Sequence, residues 1–532
     1  MGPSRGYAIG GLLLLLSLAS VVTAQQPNPH IGYVYPAGGQ RGESFQVTVG
    51  GQFLDGVSDA RISGTGAQAA IIKHTKPLTN QQASQLRDKL KELLARKSSS
   101  TTKPASSQPT TQPAWTAEDD KAIAEIREQL AAYQNRSTNP ALAETVTVQI
   151  TLTPAAKLGE QELRLKTPAG WSNPLVFCIG QLSEFREEPA SNKASPTETS
   201  ITLPSVVNGQ IMPGQVDRFR FQAQRGQRLV VVASARQLMP YLADAVPGWF
   251  QATLALYDAQ GKEVAYADDY RFNPDPVLCY QIPQTGPYVI AIKDSIYRGR
   301  EDFVYRLTLG ELPFVTSIFP LGGRIGDQTN VTLQGWNLPV TQLTQDAKGK
   351  APGIYSLSIN RGKPPFNRVP FALDALPESL DQEPNNQVDG AQSLTPPVIV
   401  NGRIGEPGDW DIFRFQGRAG QRLVAEVFAR RLGSPLDSVL KLTDAAGQQL
   451  AFNDDHEDKG SGLSTHHADS YLSTTLPTDG TYYLHLGDAQ HKGGKEYAYR
   501  LRLSPPRPDY ELRLVPSTLS IRNGGSAVLT AY

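Results

Sequence analysis

Alternation dominates this chain. Phe45-Val47-Val49, Val146-Val148-Ile150-Leu152 and Leu512-Leu514 set an apolar side chain at every second position, the spacing of a strand with one buried face. Such runs recur between turns rich in Pro and Gly, and they predict an all-β chain. Two stretches break the rule. Leu86, Leu90, Leu93 and Leu94 recur at helical spacing behind a capping box of Thr79 and Gln82, and Ile123, Ile126, Leu130 and Tyr133 do so behind Thr116 and Asp119. They predict antiparallel helices over 79–96 and 116–134. The Ser/Thr/Pro/Gln-rich stretch 98–113 between them reads as a disordered tip. The expectation is a helical hairpin, inserted at 77–135 into the first of several tandem β-sandwich modules.

The strand pattern is also duplicated. Val207 opens VNGQIMPGQVDRFRFQAQRGQRLVVVASARQL and Val400 opens VNGRIGEPGDWDIFRFQGRAGQRLVAEVFARRL. Adding 194 maps Asp217 onto Asp411, Phe219 onto Phe413 and Tyr305 onto Tyr499, while 186 maps Asp258 onto Asp444, so copy one carries eight extra residues near Met239 to Trp249. A second pair lies upstream of each copy: adding 284 maps Pro36 onto Pro320, Gly39 onto Gly323 and Leu54 onto Leu338. The repeating unit is therefore a pair of domains, and the pair occurs twice.

In the longer repeat, Glu383-Pro384-Asn385-Asn386, Gly408-Asp409-Trp410-Asp411-Ile412-Phe413 and Leu476-Pro477-Thr478-Asp479-Gly480-Thr481-Tyr482-Tyr483 resemble the bacterial pre-peptidase C-terminal (PPC) domain. That is a β-sandwich appended to exported proteases and other exported proteins. The shorter repeat, with its Pro-x-x-Gly turn and a strand ending near Gly-x-x-Leu, is similar to the IPT/TIG immunoglobulin-like module. The resemblance implies fold and export rather than catalysis. It divides the chain into a signal peptide at 1–24, IPT/TIG-like modules at 25–183 and 313–378, PPC-like modules at 184–312 and 379–505, and a linker with the start of a further β module at 506–532.

Composition narrows the partners. Lys+Arg 51 against Asp+Glu 51 leaves no net charge, which argues against nucleic acid or an anionic membrane surface. Arg5, the apolar run Ala8 to Val22 and the small residues before Gln25 read as a cleaved secretory leader, and no other stretch is apolar enough to form a transmembrane span. The two cysteines, Cys178 and Cys279, fall in different predicted domains; a disulfide and two buried thiols both remain open.

Candidate chemistry is concentrated in copy two. Asp381, Glu383, Asn385 and Asn386 alternate oxygen-bearing side chains, and Asp409 and Asp411 follow. Six to eight hard oxygens suit Ca2+, and calcium-binding relatives of the resembled family hold the ion between this entering segment and this acidic turn. Turn chemistry alone also favours Asp and Asn here. By sequence, copy one has Ala190, Ser191 and Gln215 where copy two has Asn385, Asn386 and Asp409, keeping only Glu188 and Asp217, so it is expected to be metal-free. A second cluster, Asp454, Asp455, His456, His466, His467 and Asp469, reads first as strand-end capping. Trp249, Phe250, Tyr266, Tyr270 and Phe272 offer aromatic surface for a sugar if exposed. No nucleophile elbow, H-E-x-x-H, P-loop or dinucleotide fingerprint occurs. The expectation is an exported, non-catalytic protein at the cell envelope, in the periplasm or outside the cell, holding an extracellular polymer or protein. The alternative is the accessory or targeting region of a secreted hydrolase.

Overall fold

A computed structural model describes residues 28–101, 116–134, 139–187, 198–239, 249–357, 367–457, 466–508, 512–515, 519, 521 and 524–532. The expected leader, much of the hairpin tip, and Glu188, Ala190 and Ser191 lie outside them. Paired sheets with apolar residues between them form tandem sandwiches.

In the first sandwich, one sheet orders His30–Tyr35, Ser44–Gln52, Glu144–Leu152 and Ala67–Thr75, and the facing sheet orders Gly38–Gln40, Leu175–Gly180, Gly159–Thr167 and Asp59–Ile62. The second sandwich has two five-stranded sheets: Ser183–Arg186, Ser205–Gln210, Val304–Gly310, Arg228–Ser234, Val277–Gln281 against Glu198–Ser200, Val216–Ala223, Gly286–Asp294, Ala252–Tyr257, Glu263–Ala267. The fourth repeats that order position for position, from Glu378–Leu380 to Tyr471–Thr475 and from Gln392–Ser393 to Gln449–Asn453. Identical strand order in the two copies bears out the duplication. The third is smaller, with two three-stranded sheets.

The alternation explains which side chains fill each core. In Trp410–Gly417, Phe413 and Phe415 point inward and Arg414 and Gln416 outward, as period-two geometry requires. Phe219 and Phe221 do the same in Val216–Ala223.

The insertion is a helical hairpin. Its helices run Asn80–Thr101 and Ala117–Gln134, so the first extends into the Ser-rich stretch assigned to the tip. The first box forms in full, with Gln82 N donating to Thr79 Oγ1 at 3.2 Å and Thr79 N to Gln82 Oε1 at 2.9 Å, whereas the second makes only its return bond, Thr116 N to Asp119 Oδ2 at 3.0 Å, and Asp119 N donates to Thr116 O. Tyr133 OH donates to Asn80 Oδ1 and Lys97 pairs with Asp120, which fixes the helices as antiparallel. Leu93, Ile123 and Ile126 close a small core of their own, separate from that of the sandwich. Replacing 78–137 by a short turn is therefore expected to leave the first sandwich folded, since long surface loops add little closure entropy. A drop of more than a few degrees in its melting temperature would show that the arm belongs to the core.

Each sandwich of the longer type is plugged into the one before it. Leu238 and Val304 belong to the core of the first sandwich, and Leu432 and Ala498, their counterparts at an offset of 194, belong to the core of the third. Each leucine ends a 3-10 turn, Arg236–Leu238 or Arg430–Leu432, whose amides are capped by Asp275 or Asp469. The ionic part of the joint is duplicated as well: Arg306 bonds Glu184 and Asn208, and Arg500 bonds Glu378 and Asn401. Gly38 and Gly322 lie under these guanidinium groups, where an added Cβ would meet arginine atoms at 2.4 and 2.7 Å, so no larger residue fits. Leu432→Ala is expected to cost about 2–5 kcal/mol by opening a cavity in the joint, read as a lower melting temperature and new proteolysis between the third and fourth sandwiches.

Several sequence expectations change. Phe250 is buried and stacks on Phe303, Trp249 packs edge-on against Phe303 on the same core, and Tyr270 packs edge-on against Phe314. Only Tyr266 and Phe272 of the proposed aromatic surface are exposed. Trp249 and Phe250 turn their rings inward because a Trp–Phe pair gains more by burial than by exposure. Cys178 and Cys279 are both free thiols. No helix among the described residues is long and apolar enough to cross a membrane.

Candidate metal centre

The fourth sandwich begins with Glu378–Leu380 running parallel beside Val398–Arg403. Asp381 N extends that ladder by one bond, donating to Asn401 O at 2.9 Å. The chain then crosses to the other sheet, where Asn385 O accepts from Ile412 N at 3.1 Å. These two backbone bonds bridge the sheets and pin the segment between them over the side chain of Asp411.

Asp381, Glu383 and Asp411 each offer a carboxylate oxygen, all within 4.8 Å of one another. Asn385 lies among them, with Nδ2 donating to Asp381 Oδ1 at 2.7 Å and its own amide donating to Glu383 Oε2 at 3.0 Å. Asn385 and Asp411 are fully buried. Tyr499 OH donates to Asp411 Oδ2, yet Asp411 Oδ1 and Asn385 Oδ1 are buried with no hydrogen-bond donor. Two orphaned acceptors in one acidic cleft are a costly arrangement, and a cation would satisfy both. Burial, then the neighbouring Asp381, push the Asp411 carboxyl up to about 9; burial and Glu383 push Asp381 up to about 6. Like charges held this close must be neutralised by protons or by a cation. The cluster could coordinate a divalent cation.

Of the six residues singled out in the sequence, four converge. Asn386 and Asp409 stand beside them and engage each other, Asn386 Nδ2 donating to Asp409 Oδ1 at 2.7 Å, while Gly405 N donates to Asp409 Oδ2 at 2.8 Å. Asp409 thus has both oxygens occupied and holds the turn.

In copy one the aspartate is held differently. Tyr305 OH donates to Asp217 Oδ2 at 2.7 Å, as Tyr499 does to Asp411, but Gln215 Nε2 donates to Asp217 Oδ1 at 2.6 Å. That is the oxygen left orphaned in copy two. The residue facing Asp217 is Glu187, whose amide donates to Asn208 O at 3.1 Å just as that of Asp381 does to Asn401. The sequence comparison, which set Glu188 against Glu383 and Ala190 against Asn385, was displaced by one residue in this segment; Glu187 is the counterpart of Asp381. Glu187 lies beside Asp217 and Tyr35, and burial followed by Asp217 pushes its carboxyl up to about 10. Glu187 Oε2 is itself buried without a hydrogen-bond partner, so copy one satisfies its aspartate but not its glutamate. Phe319, which replaces Tyr35 at an offset of 284, has no hydroxyl to give.

The histidine cluster does not assemble as a set. His456 faces His467 and Glu457 faces His466 on a two-residue ladder, but Asp469 is buried elsewhere, capping the amides of Ala429, Arg430 and Arg431. It is capping chemistry, although of a 3-10 turn rather than of a strand end.

No protein-family model matches the chain. A probable subtilase-type serine protease of Deinococcus radiodurans is 43% identical over 84 residues, 16% of this chain and 10% of that protein. The chain thus spans about a tenth of the curated relative it matches. Among solved structures, the pre-peptidase C-terminal domain of a Bacillus anthracis collagenase aligns over 22% of this chain and 99% of its own at 14% identity and a TM-score of 0.18. The secreted serine protease VesC of Vibrio cholerae aligns over 52% of this chain and 48% of its own at 8% identity and a TM-score of 0.14. Structural likenesses this remote carry no argument about function.

Proposed function

We propose that the chain is the accessory, substrate-retaining part of an exported peptidase system, with a calcium ion stabilising its fourth sandwich. The observation that carries the first half is the 43% identity over 84 residues with a probable subtilase-type serine protease. The second half rests on the orphaned oxygens of Asp411 and Asn385 beside Asp381 and Glu383. Calcium fits because every available donor is a hard oxygen. In this reading the chain supplies no nucleophile or general base and works by rigid presentation of sandwich surfaces, in the periplasm, at the cell surface or beyond it.

The test is a fusion of the full chain to a subtilase catalytic domain. Retention on, and turnover of, an insoluble protein substrate should rise while turnover of a soluble peptide stays the same. Equal behaviour with and without the chain would remove the accessory role, and casein cleavage by the purified chain alone would show that it is itself a catalyst.

A further inference from the structure

The outer face of the second sheet of the fourth sandwich carries chemistry that neither the joint nor the cation centre uses. Phe413 and Phe415 of Trp410–Gly417 point into the core, as do Leu440 and Leu442 of Ser438–Asp444 and Tyr482 and Leu484 of Gly480–Asp488. Period-two geometry therefore turns Trp410, Arg414, Lys441 and Tyr483 outward on three adjacent strands. Trp410 lies opposite Gly487, where an added Cβ would meet its Cδ2, Cε3 and Cε2 at 3.0, 3.1 and 3.2 Å. Cδ2 is a ring-fusion carbon, reached first only from above the ring plane. The half-buried indole thus lies flat on the glycine with its other face outward. Lys441 Nζ stands 5.6 Å from the ring centroid, and Phe452, opposite Lys441 on the next strand, is 50% exposed.

Each polar group of this patch offers a donor. Among the described residues, none forms an ion pair with Lys441 or Arg414, accepts from Trp410 Nε1 or bonds Tyr483 OH. No outward residue of the three strands is acidic, and Asp409, just ahead of Trp410, has both oxygens held in its turn. His485, opposite Lys441, adds no charge: burial, then the lysine, push it down to about 4. The sandwich itself does not require the patch. In copy one Val216, Lys293, Val289 and Ala255 stand where copy two has Trp410, Gly487, Tyr483 and Lys441, and Arg218 and Arg220 are both taken by Glu198.

We propose that this face binds an acidic polysaccharide, with a sugar ring stacked on Trp410 and uronate carboxylates against Lys441 and Arg414. The C–H groups of a sugar ring suit the negative face of the indole. Its hydroxyl and carboxylate oxygens accept from the indole N–H, the phenol and the two cations. An acidic peptide supplies carboxylates but not the ring that a flat indole selects. The site stands independently of both the accessory role and the cation centre.

The experiment is titration calorimetry of the full chain, at fixed calcium, with a hexasaccharide alternating glucuronate and N-acetylglucosamine, as the free acid and as the methyl ester. The acid should bind roughly fivefold to tenfold more tightly, the worth of two surface ion pairs, and the difference should shrink as salt rises. Trp410→Val, the residue of copy one, should weaken both forms by roughly fivefold or more. Lys441→Ala, also the residue of copy one, should narrow the gap between acid and ester without changing the melting temperature, and so tests the face independently of how well Trp410→Val folds. Equal affinity for acid and ester, no binding at millimolar hexasaccharide, or a gap unchanged in Lys441→Ala would overturn the assignment. So would tighter binding of oligoglutamate or oligothymidylate, which would make the occupant a peptide or a nucleic acid.

Discussion

Calcium is expected to raise the melting temperature of the fourth sandwich and leave the second unchanged, with chelator reversing the gain. At a hundredfold excess over the dissociation constant the linkage is worth ~2.7 kcal/mol. The direction follows from the site: without a cation, Asp381, Glu383 and Asp411 crowd one cleft, and two buried oxygens lack any partner. Binding exchanges repulsion for coordination and draws the entering segment onto the sandwich. Asp411→Asn separates the terms. It replaces a carboxyl that burial keeps protonated near neutral pH with a neutral amide, so the variant should be no less stable than the unliganded protein there, and it should lose the calcium response. A response that persists in Asp411→Asn, or calcium binding to the second sandwich, would place the ion elsewhere.

Glu187→Gln should stabilise the second sandwich above neutral pH. A carboxyl raised to about 10 in the folded chain, from an ordinary 4.5, keeps a proton that the unfolded chain gives up. The folded state then binds more protons across that window, and stability falls as pH rises through it, by up to ~1.4 kcal/mol per pH unit for one proton. Below about pH 4.5 both states are protonated and the penalty is absent. Glutamine offers Asp217 a permanent N–H in place of the proton that Glu187 retains. Melting the full chain from pH 5 to 9 at saturating calcium silences the corresponding titration of Asp411, and the part of the remaining slope that Glu187→Gln removes belongs to Glu187 and Asp217. A slope as steep in the variant as in the parent protein would mean that the pair is ionised and solvated after all.

The sequence carried the architecture well because duplication and alternation are both local arithmetic. The 194 offset joined Tyr305 to Tyr499 before either was known to hold a carboxylate. What it carried poorly depends on register. Moving the alignment of this segment from an offset of 195 to 194 sets Glu187 opposite Asp381, a one-residue slip of the kind that exchanges the faces of an extended segment, and only the bonds to Asn208 and Asn401 settle which is right. Ring exposure was equally beyond reach: Trp249 and Phe250 lie in a loop, but Trp249 Nε1 finds Asp302 at 3.3 Å and both rings join a core. The first helix outruns its estimate because a serine-rich composition argues against order only where nothing nucleates it; here two preceding turns of leucine do.

That helical arm has a kinetic meaning. Ala67–Thr75 and Glu144–Leu152 lie side by side in one sheet, although the whole insertion separates them in the chain. Were the insertion a flexible coil, the two strands would have to find each other by diffusion across a long loop. Helices form and zip within microseconds, and this pair closes on Leu93, Ile123 and Ile126 without help from the sandwich. Once closed, it delivers Thr75 and Glu144 to one another much as a tight hairpin turn would. A distant strand pairing is thereby made effectively local, and the first sheet can fold at the pace of a meander.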